Sequence, residues 1–350
     1  MEKIKLGIVG FGFMGHNDAD MMATFDDIDL IAVADTNPDM LKDAPEGVET
    51  YSNIDDMLAN ADINVVMVST PNPSHPEMVK KAAAAKKHVI CEKPAAMSVK
   101  EFDEMVEACK ENGVLFTVHQ QRRWDKDYRI MKEVYDKGMV GDMYIIKSQL
   151  YGFNGYMHDW HVYPEMGGGM LYDWGVHLID QILNMVDSPI VSLYADVQNV
   201  INEKVDDYFK IIFKFANKVT AEIELGTYYL TPARRWFIGG NQGSAIIDGF
   251  GGEGRIVHTS HLLENVPGRI TMTAAGPTRS FGPAPEGLLY EEPLPEVNVS
   301  HRMYFEHFLK AFNGEEEIIV RPDQVRRVLC VMDAVRESAR TGKAIAFEQA

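Results

Sequence analysis

Ile4-Lys5-Leu6-Gly7-Ile8-Val9-Gly10-Phe11-Gly12-Phe13-Met14-Gly15 carries an apolar strand pattern straight into three glycines spaced G-x-G-x-x-G. The spacing alone is weak, since many turns hold glycines. Its setting gives it meaning: a strand pattern precedes, a helical pattern follows, and Asp35 closes the next strand-like run. In such a turn the first glycine permits the tight bend. The second lets backbone approach a pyrophosphate, and the third lets the helix pack closely on the strand. The first amides of the helix then face the phosphates. Gly10, Phe11, Gly12, Phe13, Met14 and Gly15 are therefore candidate nucleotide contacts, against the competing reading of a purely structural turn. Asp35 suits the hydroxyls of an adenosine ribose and repels a 2′-phosphate, and Thr36-Asn37-Pro38 brings no compensating Arg or Lys. The expected cofactor is NAD, with NADP the lesser alternative.

Outward from that turn, apolar runs at Ile4–Val9, Leu30–Ala34, Val65–Ser69, His88–Cys91 and Val114–Val118 read as strands. Helical patterns stand between some of them, most clearly at Ser74–Ala85 and Val99–Asn112. Several runs are apolar without alternation, as strands covered on both faces are. Strand and helix in alternation predict an α/β, doubly wound parallel sheet. After about residue 120 the pattern changes. Helical segments at Lys126–Lys137 and Met170–Val186 are followed by strand-like Val191–Asn199, Tyr208–Phe215, Thr220–Thr227, Trp236–Gly239 and Ala245–Asp248. Consecutive strands without helices predict a large, mostly antiparallel sheet. Residues 262–300 are rich in Pro and Gly and suggest a long excursion or hairpin; helical patterns at Arg302–Phe312 and Asp323–Thr341 close the chain. Two domains are expected: 1–121 for the nucleotide, and 122–350 for substrate and oligomerisation, with the last helices packing back on the first.

The 350 residues suffice for two cores, and a formal net charge of −18 disfavours any sequence-independent grip on nucleic acid. Cys91, Cys109 and Cys330 are too few and too scattered for a disulfide framework or a cysteine zinc site. No apolar run reaches membrane-spanning length, and Met1-Glu2-Lys3-Ile4 leads directly into a strand pattern. The expected compartment is the cytoplasm.

Four further stretches narrow the reading. Thr70-Pro71-Asn72-Pro73-Ser74-His75 and Glu92-Lys93-Pro94 each follow a strand run, and Gln120-Gln121-Arg122-Arg123-Trp124 sits at the domain junction. Gly167-Gly168-Gly169-Met170-Leu171-Tyr172-Asp173-Trp174-Gly175-Val176-His177-Leu178-Ile179-Asp180 lies beyond. In this order, and over nearly the whole chain, they resemble the glucose–fructose oxidoreductase/inositol dehydrogenase/rhizopine catabolism protein (Gfo/Idh/MocA) family. The resemblance implies a Rossmann domain, then an α/β domain with an open antiparallel sheet. The active site would lie between them, and the free sheet face would serve a homodimer or homotetramer.

The resemblance also assigns roles. Lys93 would contact the reacting hydroxyl, Asp173 bind substrate and His177 act as the catalytic base. Bottom-up, Lys93 stands just past a parallel strand's carboxyl end, where open α/β sheets place ligands. Asp173 and His177, four apart on a helical pattern, share a face; a plain i,i+4 pair or a core histidine is the alternative. Asp180, further along that face, reads as support. Thr70, Pro71, Asn72, His75 and Glu92 are candidate cofactor neighbours, with His75 also a possible helix cap. Arg122, Trp124 and Tyr128 are candidate cleft residues. Tyr151 and Trp160 belong to an aromatic stretch, 151–161, of the kind that stacks on sugar rings. His158, Asp159 and His161 offer a metal-binding alternative, but the usual signatures are missing and no metal is expected. A merely packed aromatic loop is the other alternative.

The leading expectation is hydride transfer between nicotinamide and a secondary hydroxyl or ketone of a sugar, cyclitol or sugar derivative. One rival is a redox-assisted glycosidase or lyase that retains NAD and forms a transient keto-sugar. Another is a non-catalytic NAD-binding regulator, against which the intact Lys93, Asp173 and His177 argue.

Overall fold

In the computed structural model, which describes residues 2–152, 156–260, 270–279 and 286–347, six short strands form the first sheet. They are β1 (Ile4–Val9), β2 (Ile28–Ala34), β3 (Glu49–Tyr51), β4 (Val65–Val68), β5 (His88–Cys91) and β6 (Phe116–Val118). All pairs are parallel, in the order β3-β2-β1-β4-β5-β6. The non-alternating apolar runs have their reason here, for all four residues of β4 are buried. Helices α1 (Phe13–Met22), α2 (Ile54–Asn60), α3 (His75–Ala84) and α4 (Val99–Asn112) connect these strands. Strand order reverses between β1 and β4, and ligand crevices open at such a switch point. The glycine turn follows β1 directly.

After α5 (Lys126–Asp136) comes β7 (Met143–Tyr151), and after α6 (Val176–Met185) come β8 (Ile190–Gln198), β9 (Tyr208–Phe215) and β10 (Thr220–Gly226). Next are β11 (Trp236–Gly240), β12 (Gly243–Ile247) and β13 (Gly254–Thr259). A two-stranded hairpin, β14 (Ile270–Thr273) with β15 (Gly276–Arg279), precedes β16 (Leu289–Glu292). Helices α7 (Arg302–Phe312) and α8 (Pro322–Thr341) lead to β17 (Ile345–Ala346). The second sheet runs β16-β13-β12-β11-β7-β10-β9-β8-β17 and is antiparallel except where β7 meets β10. No described helix is long and apolar enough to cross a membrane.

Strands β3, β7, β13 and β17 and helix α2 match no run named from the sequence. Strand β3 and helix α2 are only three and seven residues long, too short for a clear period. Strand β7 lies inside the sheet, yet its outward side chains include Lys147 and Gln149, so it lacks an apolar run. The helical pattern from Met170 also divides: Leu171–Gly175 is a π-helical turn, and α6 begins only at Val176.

Helices α5, α6 and α8 lie against one face of the large sheet. Its other face carries a polar ladder in which Lys147 pairs with Glu222 at 3.3 Å and Lys210 with Glu224 at 3.5 Å. The last helices return to the first sheet: Phe305 packs on Phe25, Thr117 Oγ1 donates to Val320 O at 2.9 Å, and Arg326 pairs with Asp103 at 2.8 Å. That packing holds the two sheets at a common cleft.

Candidate functional site

Gly10 sits at φ +87°, where a side chain is strained, and a Cβ on Gly15 would run into the Gly10 carbonyl oxygen. A Cβ on Gly12 would meet nothing within 4 Å. Two glycines thus serve the turn itself, and the third leaves open space at the N-terminus of α1. No side chain caps that terminus, and Phe13 beside it is 82% exposed. Asp35 is aimed at the same place: its carboxylate accepts from Phe11 N at 2.8 Å and Asn37 N at 2.7 Å. This cradle fits the pyrophosphate and ribose of a dinucleotide.

Across the cleft, Lys93 Nζ donates to Asp173 Oδ1 at 2.7 Å and to Asp173 O at 3.1 Å. The lysine comes from the loop after β5 and the aspartate from the π-helical turn, so the pair spans both sheets. The second oxygen of Asp173 faces His161 Nε2 at 3.6 Å, and the His161 ring is stacked under Trp160. Burial opposes the charge on Asp173, but His161 and Lys93 together hold its carboxyl well below the usual range. One turn on, His177 is buried and its Nδ1 lies 2.9 Å from Gln120 Oε1. Donation from Nδ1 to that amide oxygen leaves Nε2 as a free acceptor. Burial, with the charges of Lys93 and Arg122, holds the imidazole well below its ordinary pKa, so it is neutral near pH 7. Arg122 Cζ lies over the Trp174 ring, 4.0 Å from its centroid, and Trp174 meets His177 edge-on at 6.2 Å. Gly169, at φ +97°, leaves no room for a Cβ beside Asp206, whose carboxylate accepts from Leu171 N at 2.7 Å and anchors the turn.

Several candidates lie elsewhere. Trp124 is 2% exposed and packs edge-on against Tyr304; Tyr128 is fully buried and donates to Asn184 Oδ1 at 2.8 Å. Both are core residues: Trp124 ends a 3-10 turn (Gln121–Trp124) and Tyr128 lies on α5, and both rings face inward. Tyr151 points to the other face of the sheet, where it donates to Glu224 Oε2 at 3.0 Å and packs on Tyr229. The pleat sends alternate side chains to opposite faces and so turns its phenol away from Asp173 and His177, while Tyr151 still borders a small cavity between β7 and β10. His75 caps nothing: it is buried between Thr70 O at 2.7 Å and Pro94 O at 3.0 Å, tying two cleft loops together. Glu92 is likewise turned inward, 2.5 Å from His119 Nδ1 and accepting from Lys93 N at 3.1 Å. Asn72 spans the cleft and donates to Met166 O at 3.0 Å, while Thr70 takes the Ser74 hydroxyl at 2.8 Å and Pro71 is exposed. Asp180 is paired through both oxygens with Arg123. His158 and Asp159 are exposed, and residues 153–155 of the aromatic stretch lie outside the described residues.

Gln120, which fixes the tautomer of His177, has no role of its own in the sequence reading; His161 enters it as part of the aromatic stretch and as an alternative metal ligand. A buried trio was missed altogether. Asp18, Glu92 and His119 bring their ligating atoms within 4.8 Å of one another behind the nucleotide turn. Burial raises Asp18 to about 7, while His119, itself raised by Glu92, holds Glu92 low despite burial. These three residues are 101 positions apart from first to last, and no local spacing announces them.

Comparison with known proteins bears directly on this arrangement. Residues 4–120 match the family model for the oxidoreductase NAD-binding Rossmann fold, and residues 128–246 match the GFO/IDH/MocA C-terminal domain. An NAD-binding protein from Listeria innocua superimposes with a TM-score of 0.91 at 32% identity, covering 99% of this chain and all of that one. The chain belongs to the Gfo/Idh/MocA oxidoreductase family. Within it, a scyllo-inositol 2-dehydrogenase (NADP(+)) of Bacillus subtilis is 24% identical over 99% of this chain and 97% of its own length. A myo-inositol 2-dehydrogenase of Thermotoga maritima is 26% identical over 72% and 74%. The chain is thus an NAD-binding oxidoreductase whose Rossmann domain and open sheet are those of the Gfo/Idh/MocA fold.

Proposed function

We propose that the protein oxidises a secondary hydroxyl of a sugar, cyclitol or sugar derivative, or reduces the matching ketone, with NAD as the coenzyme. The observation that carries this reading is the Lys93–Asp173 contact at 2.7 Å beside a neutral His177 whose Nδ1 is held by Gln120. The relatives named as inositol dehydrogenases support the substrate class. When bound, the nicotinamide supplies the hydride acceptor. The residues of the chain do the rest. Lys93 donates a hydrogen bond to the reacting oxygen and favours charge developing there. His177 Nε2 accepts the hydroxyl proton as the carbon–oxygen double bond forms, and in reduction returns it. Asp173 fixes the ammonium, and Trp160 and Trp174 offer flat faces for a sugar ring.

Asp35 supports NAD over NADP, because a carboxylate closing the second strand of this fold would repel a 2′-phosphate. The uncovered face of the nine-stranded sheet, with Tyr194 42% exposed, supports a homo-oligomer through that face. The test is a panel of sugars and cyclitols incubated with NAD or NADP, following reduced cofactor and products separately. Reduced NAD accumulating with a keto product supports the reading. A converted glycoside without accumulated reduced cofactor would replace it with the redox-assisted glycosidase.

A further inference from the structure

Beside the turn that carries Asp173 lies a cavity of about 200 Å³ that no step above uses. Its walls include Leu150 and Leu225, which are register partners on adjacent strands, with Met170 and Trp174 opposite. Tyr151, whose hydroxyl is committed to Glu224, borders it with Gly152, Gly226 and Thr227; Thr227 is 3% exposed, and its hydroxyl has no hydrogen-bond partner among the described residues. The Thr227 backbone is fixed, since its N–H donates to Asp207 O at 3.1 Å. A buried hydroxyl left unpaired is costly, and native proteins rarely leave one without a partner to meet. Trp174 forms one wall and follows Asp173 directly in the chain, with its ring 6.2 Å from His177. The cavity therefore adjoins the reacting centre.

Resting on the dehydrogenase reading above, we propose that this cavity is a substrate subsite for an acetamido substituent on the sugar. The chemistry of the lining selects among substituents. No charged side chain among the described residues lines it, which disfavours phosphate or carboxylate. A bare hydroxyl would satisfy Thr227 but leave the leucine, methionine and indole walls in contact with water. A methyl group would fill the walls and leave Thr227 unpaired. An acetamido group does both: its methyl lies against Leu150, Leu225 and Met170, and its carbonyl accepts from the Thr227 hydroxyl. The volume admits such a group, a water occupying about 30 Å³ of liquid.

The test uses the full chain loaded with NAD. N-acetylglucosamine and N-acetylgalactosamine are titrated calorimetrically alongside glucose and galactose, and reduced NAD is followed on the same samples. At least one acetamido sugar is expected to bind about tenfold or more tightly than its parent. Thr227→Val is expected to cut that ratio about tenfold, and Thr227→Ser, which keeps the hydroxyl, to preserve it. Preferential binding without reduced NAD keeps the subsite and overturns the dehydrogenase reading. Reduced NAD formed equally from acetamido and parent sugars keeps the dehydrogenase and overturns the subsite. Binding of none of the four overturns the subsite, as does a preference that Thr227→Val leaves intact.

Discussion

Lys93 Nζ lies 2.7 Å from Asp173 Oδ1 and 3.1 Å from the carbonyl oxygen of the same residue. The lysine belongs to the loop after β5 and the aspartate to the π-helical turn before α6, so one ammonium is gripped twice by the opposite side of the cleft. Its side chain is 14% exposed and that of Asp173 16%, placing the pair between solvent and core. In that position a charge is screened less than on the surface, yet the full cost of burial is avoided. A π-helical turn carries an extra residue per turn, and such insertions are common at functional sites.

The three glycines of the first turn separate folding from binding. A Cβ on Gly15 presses on the Gly10 carbonyl, so Gly15→Ala is expected to destabilise the protein by about 1–3 kcal/mol. A Cβ on Gly12 meets nothing of the protein within 4 Å. Gly12→Ala is expected to keep its unfolding midpoint and lose NAD affinity. Thermal unfolding paired with NAD titration reads both effects.

Much of this was readable in the sequence, and the boundary is physical. The glycine turn, Asp35 and the strand-end loops are local features, each written within a few residues. Lys93, Asp173 and His177 were reached through family resemblance and strand-end position, and the fold brings Lys93 and Asp173 into contact while His177 follows one turn on. Trp124 and Tyr151 lie away from the Lys93–Asp173 contact for different reasons. The first follows an Arg-rich junction but faces inward on Tyr304; the second ends an unrecognised strand whose pleat turns it away. Gln120, His161 and the Asp18–Glu92–His119 trio act through contacts between distant segments, which no period or motif encodes.

His177 sets the acid limb of activity. Burial and the charges of Lys93 and Arg122 hold it well below 6.5, so the neutral base persists on acidification until pH falls below that value. For alcohol oxidation, kcat/KM corrected for other groups is expected to keep its His177 limb below pH 6.5. Gln120→Leu leaves the Nδ1–H without its acceptor and is expected to lower kcat about tenfold or more while the protein stays folded. A pH–rate profile of both proteins checks this.

Asp18 makes stability depend on pH in the opposite sense to an ordinary paired carboxylate. Its pKa is raised from 3.8 to about 7, chiefly by burial, so its contribution is full below about 3.8 and is lost as pH rises through about 7. Asp18→Asn carries no charge to bury. Between pH 4 and pH 8 the variant is expected to lose less stability than the parent, and at pH 8 to unfold at a higher temperature. Unfolding midpoints measured across that range decide it.

Asp35 is expected to govern the choice between dinucleotides. Its carboxylate is held beside the glycine turn by the Phe11 and Asn37 amides. The double variant Asp35→Ser, Thr36→Arg removes the repulsion and adds a phosphate partner. The ratio of kcat/KM for NAD over NADP is expected to fall by about a hundredfold or more, as initial rates with each cofactor will show.

The most direct measurement is the single-turnover rate of Lys93→Met loaded with saturating NAD and a substrate from the sugar and cyclitol panel. Methionine keeps much of the length and apolar stem while removing the ammonium that Asp173 holds at 2.7 Å. The expected result is hydride transfer slower by about a thousandfold with NAD affinity little changed. A rate within about tenfold of the parent, at full NAD occupancy, would contradict the central role given to Lys93.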